Sequence, residues 1–306
     1  MIVVQKAGRS NELLPSRRAA GPEIPDSPSR MAARKSIANM KEWWFAETPE
    51  YIFLSDVRSS TGRALVKEMQ QNMPHLRSAY AKLIPPFEPL TDANVVRIFG
   101  TQEGYKQYVS ESLEWSSGLW SPMQRELVIL AQGRDNAKTI EIIQHEGFHQ
   151  YLFFATSMIS SLPWYNEGHA CFFEAAQVDR RGVVKIQENS RVRHLLANPD
   201  ATAKHIPTLL TMGYDVFYHK TDEMRSLNYT TAWALIYYLH KGAPLERTNP
   251  YAQILDKYLA TLKTSKNSAD ATTAAFDNIN TKKLQEDFTN FWMRQRNKGR
   301  LFDPFK

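Results

Sequence analysis

From Trp43 onward, short apolar runs alternate with helical spacings as far as residue 131, and beyond that point the helical spacing takes over. Tyr51–Leu54, Val95–Phe99 and Glu126–Ala131 are runs of aliphatic, β-branched and aromatic residues bounded by turn formers, the pattern of buried strands. Between the first two, Thr61–Leu83 sets Leu65, Met69, Leu76, Tyr80 and Leu83 on or near one helical face and stops at Pro85-Pro86. Gln102–Val109 predicts a short helix after Gly100, and Gly133-Arg134-Asp135-Asn136 predicts a turn. Lys138 to about Ser160 then predicts one long helix, with Ile140, Ile143, Phe148 and Leu152 available for packing. Pro163 breaks the pattern, a helix follows from about Asn166 to Val178, and Asp179–Gly182 is a turn. Thr208–Leu210, Asn228–His240, Tyr251–Leu262 and Thr281–Asn297 carry later helical spacing. A small mixed sheet followed by a mainly helical body is an α+β arrangement, and no internal repeat interrupts it.

Residues 1–40 have no such period and are rich in Arg, Ser and Pro, so they are expected to form a disordered basic tail. The folded domain is expected over 41–298, with a short tail at 299–306. The formal charge of +6 sits at the ends. Residues 1–41 hold eight basic and three acidic side chains, and the last 25 residues hold seven and three. The middle of the chain is therefore slightly acidic, and a nucleic-acid groove, which needs its basic residues on the folded body, is not expected. No run reaches the roughly 18 apolar residues of a membrane helix. A single cysteine, Cys171, allows neither an internal disulfide framework nor a cysteine-based metal cluster. Met1–Val4 is too short for the apolar core of a signal peptide; a cytoplasmic location is the default, and export would require a different start, for which Met31 and Met40 offer themselves. No pattern in the chain specifies an oligomeric state.

The chemistry concentrates in His145-Glu146-Gly147-Phe148-His149. Two histidines four residues apart on a helix project from the same face one turn apart, so both imidazoles can reach one ion. Glu146 lies about 100° round the helix from His145, within reach of a water held there. That is the mechanical content of H-E-x-x-H: neutral imidazoles as ligands and a carboxylate as general base. A catalytic zinc takes three protein ligands, so a third must come from beyond this helix. Glu167, 18 residues after His149 and past the Pro163 break, is a candidate, with small Gly168 and Ala170 beside it.

H-E-x-x-H followed by Trp164-x-x-Glu167-Gly168-x-Ala170 resembles the gluzincin zinc peptidases, and most closely the bacterial peptidase-MA-like families of unknown function. The resemblance extends to Trp43–Tyr51, to Gly118-Leu119-Trp120 and to the segment from Tyr229 to Leu235. It implies a zincin-like body with two helices carrying the metal site. The ligands carried over are His145, His149 and Glu167, with Glu146 as base, zinc as cofactor and a peptide or protein as substrate. It also implies a tyrosine that stabilises the oxyanion; Tyr229 is the matching position, Tyr214 and His219 are weaker options, and a packing role for Tyr229 is the alternative. The strand at Glu126–Ala131 resembles the edge strand of a gluzincin cleft, onto which an extended peptide adds; an ordinary internal strand is the competing account. The Gly-x-Met-Glu-Asn motif of the aminopeptidases is missing, which favours an endopeptidase-like cleft.

Other nearby donors are weaker. His169 should face away from Glu167, Glu174 is two turns further along, and Cys171 reads as a small buried residue. Glu141 is either a partner for the His145 imidazole or a solvated carboxylate. A catalytically silent zincin-fold binding protein is the alternative function, and the complete ligand and base set weighs against it.

Overall fold

The computed structural model describes residues 5–6, 24–111, 116–131, 136–218, 221–245 and 248–297. These form two compact units, the first made of residues up to Pro85, Pro89–Tyr151 and Val178–Val184, the second of Pro86–Glu88, Leu152–Gln177 and the residues from Lys185 on. The expected α+β class is what the chain adopts.

The first unit contains β1 (Gln5–Lys6), α1 (Pro28–Ile37), β2 (Trp44–Glu47), β3 (Tyr51–Ser55), α2 (Ser60–Leu83), β4 (Asn94–Phe99), α3 (Gln102–Tyr108), β5 (Gly118–Ser121), β6 (Glu126–Leu130) and most of α4 (Asn136–Ala155). The sheet order is β1-β2-β3-β4-β6-β5. β3, β4 and β6 run parallel, while β2 and β5 run antiparallel to their neighbours β3 and β6. Every residue of β3, β4 and β6 is buried, because both faces of the sheet are covered. Strand alternation divides the core accordingly. Phe53, Val96, Ile98, Leu127 and Ile129 pack with Leu65 and Met69 of α2 and Ile143 of α4. Ile52, Leu54 and Val95 pack with Ala33 and Ile37 of α1, and Val128 and Leu130 pack with Phe99 and with Tyr105 of α3.

Helix α1 corrects the expected start of the folded body, since Pro28–Ile37 falls inside the segment read as a disordered tail. Ser27 caps it, Pro28 occupies its first turn, and Ala33 and Ile37 close one face of the sheet. Buried Arg30 secures it by donating to the carbonyls of Thr48 and Pro49, both at 2.6 Å, and to Glu47 at 3.2 Å. A basic, proline-rich composition concealed a capped helix whose apolar face is only two residues wide. The rest of the expected tail at 1–4 and 7–23, the 299–306 tail, the 133–135 part of the expected turn and His219 lie outside the described residues.

Beneath α1, Arg97 of β4 makes a buried pair with Glu126 of β6, Nε to Oε2 at 2.6 Å and Nη2 to Oε1 at 2.9 Å. The guanidinium sits over the rings of Trp43 and Tyr108 and also donates to Ser36 Oγ at 2.9 Å. The pairing satisfies a charge that would otherwise be stranded in an apolar layer.

β7 (Ala176–Val178) and β8 (Val184–Ile186) form a two-stranded hairpin about the expected Asp179–Gly182 turn. The second unit is helical: α5 (Pro163–Glu174), α6 (Arg191–Ala197), α7 (Pro199–Leu210), α8 (Tyr214–Phe217), α9 (Asp222–Tyr237), α10 (Ile254–Ser265), α11 (Ser268–Phe276) and α12 (Thr281–Asn297). A wide π-helical turn, Tyr238–Gly242, ends α9. α5 begins three residues before the sequence suggests because Pro163 starts it rather than ending what precedes; proline suits a first helical turn, where its missing N–H has no partner to lose. α5 lies against α9 at Gly168, where an added Cβ would stand 2.6 Å from Ile236 Cγ1 and 2.8 Å from the Ala232 carbonyl oxygen. Tyr165 stacks on Tyr258 with centroids 4.2 Å apart, and Trp164 donates to Thr272 at 2.9 Å.

Candidate metal centre

Helix α4 is fixed along its buried side. Ile143, Phe148 and Tyr151 are buried, the Gln150 amide donates to the Val95 carbonyl at 2.9 Å, and the Tyr151 hydroxyl donates to the Ile84 carbonyl at 2.6 Å. The Tyr80 ring meets Phe148 edge-on at 5.5 Å. With that side held, His145, Glu146 and His149 come out half-exposed on the other. The two imidazole rings are 4.8 Å apart at 85° to one another. One ligand atom from each of His145, Glu146 and His149 lies within 4.8 Å of the other two, a group that can hold a metal ion. Two ring nitrogens suit a divalent ion of borderline softness, and the Glu146 carboxylate stands beside them.

Glu146 is held by a contact that sequence reading did not find. The backbone N–H of Trp120 in β5 donates to Glu146 Oε2 at 2.8 Å. The strand register explains why that N–H is turned toward the helix. Ser117 accepts from Leu130 N at 2.9 Å, so the bonded pairs are Ser117–Leu130, Leu119–Val128 and Ser121–Glu126, and Gly118 and Trp120 turn their backbone groups away from β6. Gly118 allows the close approach: a Cβ there would meet Ile142 Cγ2 of α4 at 2.6 Å. Burial pushes the nearby Tyr105 phenol up, and the charge of Glu146 adds to that shift.

The same topology corrects the edge-strand reading of Glu126–Ala131. β6 is paired on both sides, by β4 and β5, and β5 closes that end of the sheet among the described residues. β5 went unpredicted because four residues with one glycine and one serine carry too little periodicity.

Glu167 and Tyr229 belong to the second unit. Glu167 is 2% exposed on α5, and the Tyr218 hydroxyl donates to its Oε1 at 2.6 Å. Enclosure of its hydroxyl, then the Glu167 charge, pushes the Tyr218 phenol above its ordinary range. The Tyr214 hydroxyl accepts from Asn166 Nδ2 at 2.5 Å, and its phenol too is pushed up, first by burial and then by Glu167. Tyr229 packs against Phe217, centroids 4.8 Å apart, and under the guanidinium of Arg191 at 5.7 Å. Tyr218 escaped sequence reading because no local pattern marks a side chain that meets its partner across 51 positions.

His169 turns from Glu167, as expected; its Nδ1 meets the Tyr165 carbonyl at 2.8 Å and its Nε2 meets His240 Nε2 at 3.1 Å. Burial holds both imidazoles below their usual range, His240 at about 4. Glu174 is paired with Arg191 at 2.7 Å, Cys171 is buried, and Glu141 is exposed.

A family described as Protein of unknown function (DUF1570) matches residues 139–261, a span that holds His145, Glu146, His149, Glu167, Tyr218 and Tyr229. No curated protein matches the chain. No described helix is long and apolar enough to cross a membrane.

Proposed function

We propose that this protein is a zinc-dependent metallopeptidase of the gluzincin type, hydrolysing peptide bonds in the manner of an endopeptidase. The observation that carries the reading is the grouping of His145, Glu146 and His149 on one half-exposed side of α4. His145, His149 and Glu167 are the assigned ligands, on the strength of the motif spacing for the first two and of the gluzincin resemblance for the third.

Zinc held there would lower the pKa of a water toward about 7 and polarise the scissile carbonyl. The remaining work belongs to the chain. Glu146 takes the proton from the attacking water and delivers it to the leaving amine. The Trp120 amide fixes Oε2 of that carboxylate, so the base keeps one orientation through both transfers. Tyr229 is the assigned oxyanion donor.

Metal analysis of the purified protein, together with a peptide-library cleavage screen of wild type and Glu146→Gln, tests the proposal. One equivalent of zinc in both proteins, with cleavage only in wild type, is the expected result. Absence of bound zinc, or equal cleavage by the two proteins, would overturn it.

A further inference from the structure

We propose that Tyr218 is a positioning residue for Glu167, its hydroxyl fixing which carboxylate oxygen is presented to the ion. This rests on the reading of Glu167 as a metal ligand and extends it to a residue that no motif marks. The backbone at Glu167 is already set, because Gly168 brings α5 against Ala232 and Ile236 of α9 with no room for a side chain between them. The carboxylate itself is not set by that packing. The last torsion of a glutamate is broad and roughly two-fold, so a helix can be rigid while its carboxylate still turns.

The Tyr218 hydroxyl holds one of the two Glu167 oxygens. Its 2.6 Å bond to Oε1 falls in the short range of charge-assisted O–H···O⁻ contacts. A carboxylate tethered through Oε1 is directed to donate to a metal through Oε2, as a one-oxygen ligand. The tether is well supported. Tyr218 follows α8, and its ring lies 5.7 Å from Tyr214, 5.6 Å from Phe217 and 6.4 Å from Tyr229. Although 48% of Tyr218 is exposed, its hydroxyl is directed to a carboxylate that is almost wholly buried. Of the neighbouring tyrosines, Tyr214 is bonded to Asn166, and Tyr229 packs against Phe217 and under Arg191. Partners of this kind orient metal ligands, and losing one typically weakens metal binding about 10–100-fold.

The test uses the full chain as wild type, Tyr218→Phe and, as a neighbouring control, Val216→Ala. Zinc affinity is measured by competition with a chromophoric chelator, well below the melting temperature of each metal-free protein. The visible spectrum of the cobalt-substituted protein reports the coordination. Tyr218→Phe keeps the ring contacts and removes only the hydroxyl. The expected result is a roughly 10–100-fold weaker zinc affinity and an altered cobalt spectrum for Tyr218→Phe, with Val216→Ala unchanged in both. A Tyr218→Phe protein that binds zinc as tightly as wild type overturns the inference and leaves the ligand set standing, even if its melting temperature falls, since that would be a purely structural role. If wild type binds no zinc, the ligand set fails and the inference falls with it.

Discussion

Helices α4 and α5 carry the motif residues in opposite ways. α4 has two sides: Ile143, Phe148 and Tyr151 are buried, while His145, Glu146 and His149 are half-exposed. α5 has almost no exposed side, since ten of its twelve residues are buried and Glu167 is among them. On α4 the candidate metal-binding residues are partly exposed, and packing is left to other residues. On α5 an ionisable side chain is part of the packed interior and must be satisfied there, which is the task of Tyr218. Substitutions at the α4 motif should therefore cost activity, and substitutions along α5 should cost stability as well.

The largest effect that would sharpen this contrast is at the base. Glu146→Gln should lower peptide hydrolysis by about 10²–10⁴-fold while leaving the urea midpoint and zinc content unchanged. A comparable loss of stability would show that α4 is not divided as described. Next is Trp120→Pro, which removes the N–H that holds Glu146. Proline is tolerated on an edge strand where the lost N–H makes no ladder bond, as here. A hydrogen bond to a charged group is worth about 1.5–3 kcal/mol, so turnover should fall roughly 10–100-fold with zinc retained. Unchanged turnover would show that the amide contact is incidental.

A smaller effect comes from paired glycine substitutions. Gly168→Ala drives a Cβ against the Ala232 carbonyl and should cost about 1–3 kcal/mol in urea unfolding. Gly147→Ala meets Met73 Cε at 3.5 Å and Leu127 Cδ2 at 3.9 Å, ordinary contacts. It should be neutral or stabilising by up to about 1 kcal/mol, through helix propensity. Equal costs at the two glycines would erase the distinction between the helices.

A further effect is the pH dependence that His240 contributes. His240 has a folded pKa of about 4, depressed first by burial and then by the charge of Lys241, with His169 facing it across 3.1 Å. A histidine held below its unfolded value favours the folded state above about pH 6.5, and that contribution is lost as pH falls toward 4. The unfolding midpoint should drop across this window in wild type and drop less in His240→Phe. Parallel curves for the two proteins would refute the assignment.

What the sequence disclosed follows the same division. Tyr51–Leu54, Val95–Phe99 and Glu126–Ala131 were legible as strands because burial on both faces makes them almost continuously apolar. His145, Glu146 and His149 were legible because a helix fixes their relation within five residues. The Trp120 amide was not legible, since it depends on strand register and not on residue type. Tyr218 was not, because α8 and α5 meet only through the packing of the second unit. Helix α1 was missed for a third reason: its arginines look like solvated charge, yet Arg30 is 1% exposed and serves as a polar cross-link.

That helix has a practical consequence for anyone shortening the chain. A form begun at Met40 would keep every residue of the candidate metal centre but would lose Arg30, Ala33 and Ile37. Ile52 and Val95, register partners on adjacent strands, and Leu54 two residues along would then lose their cover, and the Thr48 and Pro49 carbonyls would lose their guanidinium. Such a product should clump before it could be assayed, and an inactive preparation of it would report a bared β-surface, not a missing catalyst.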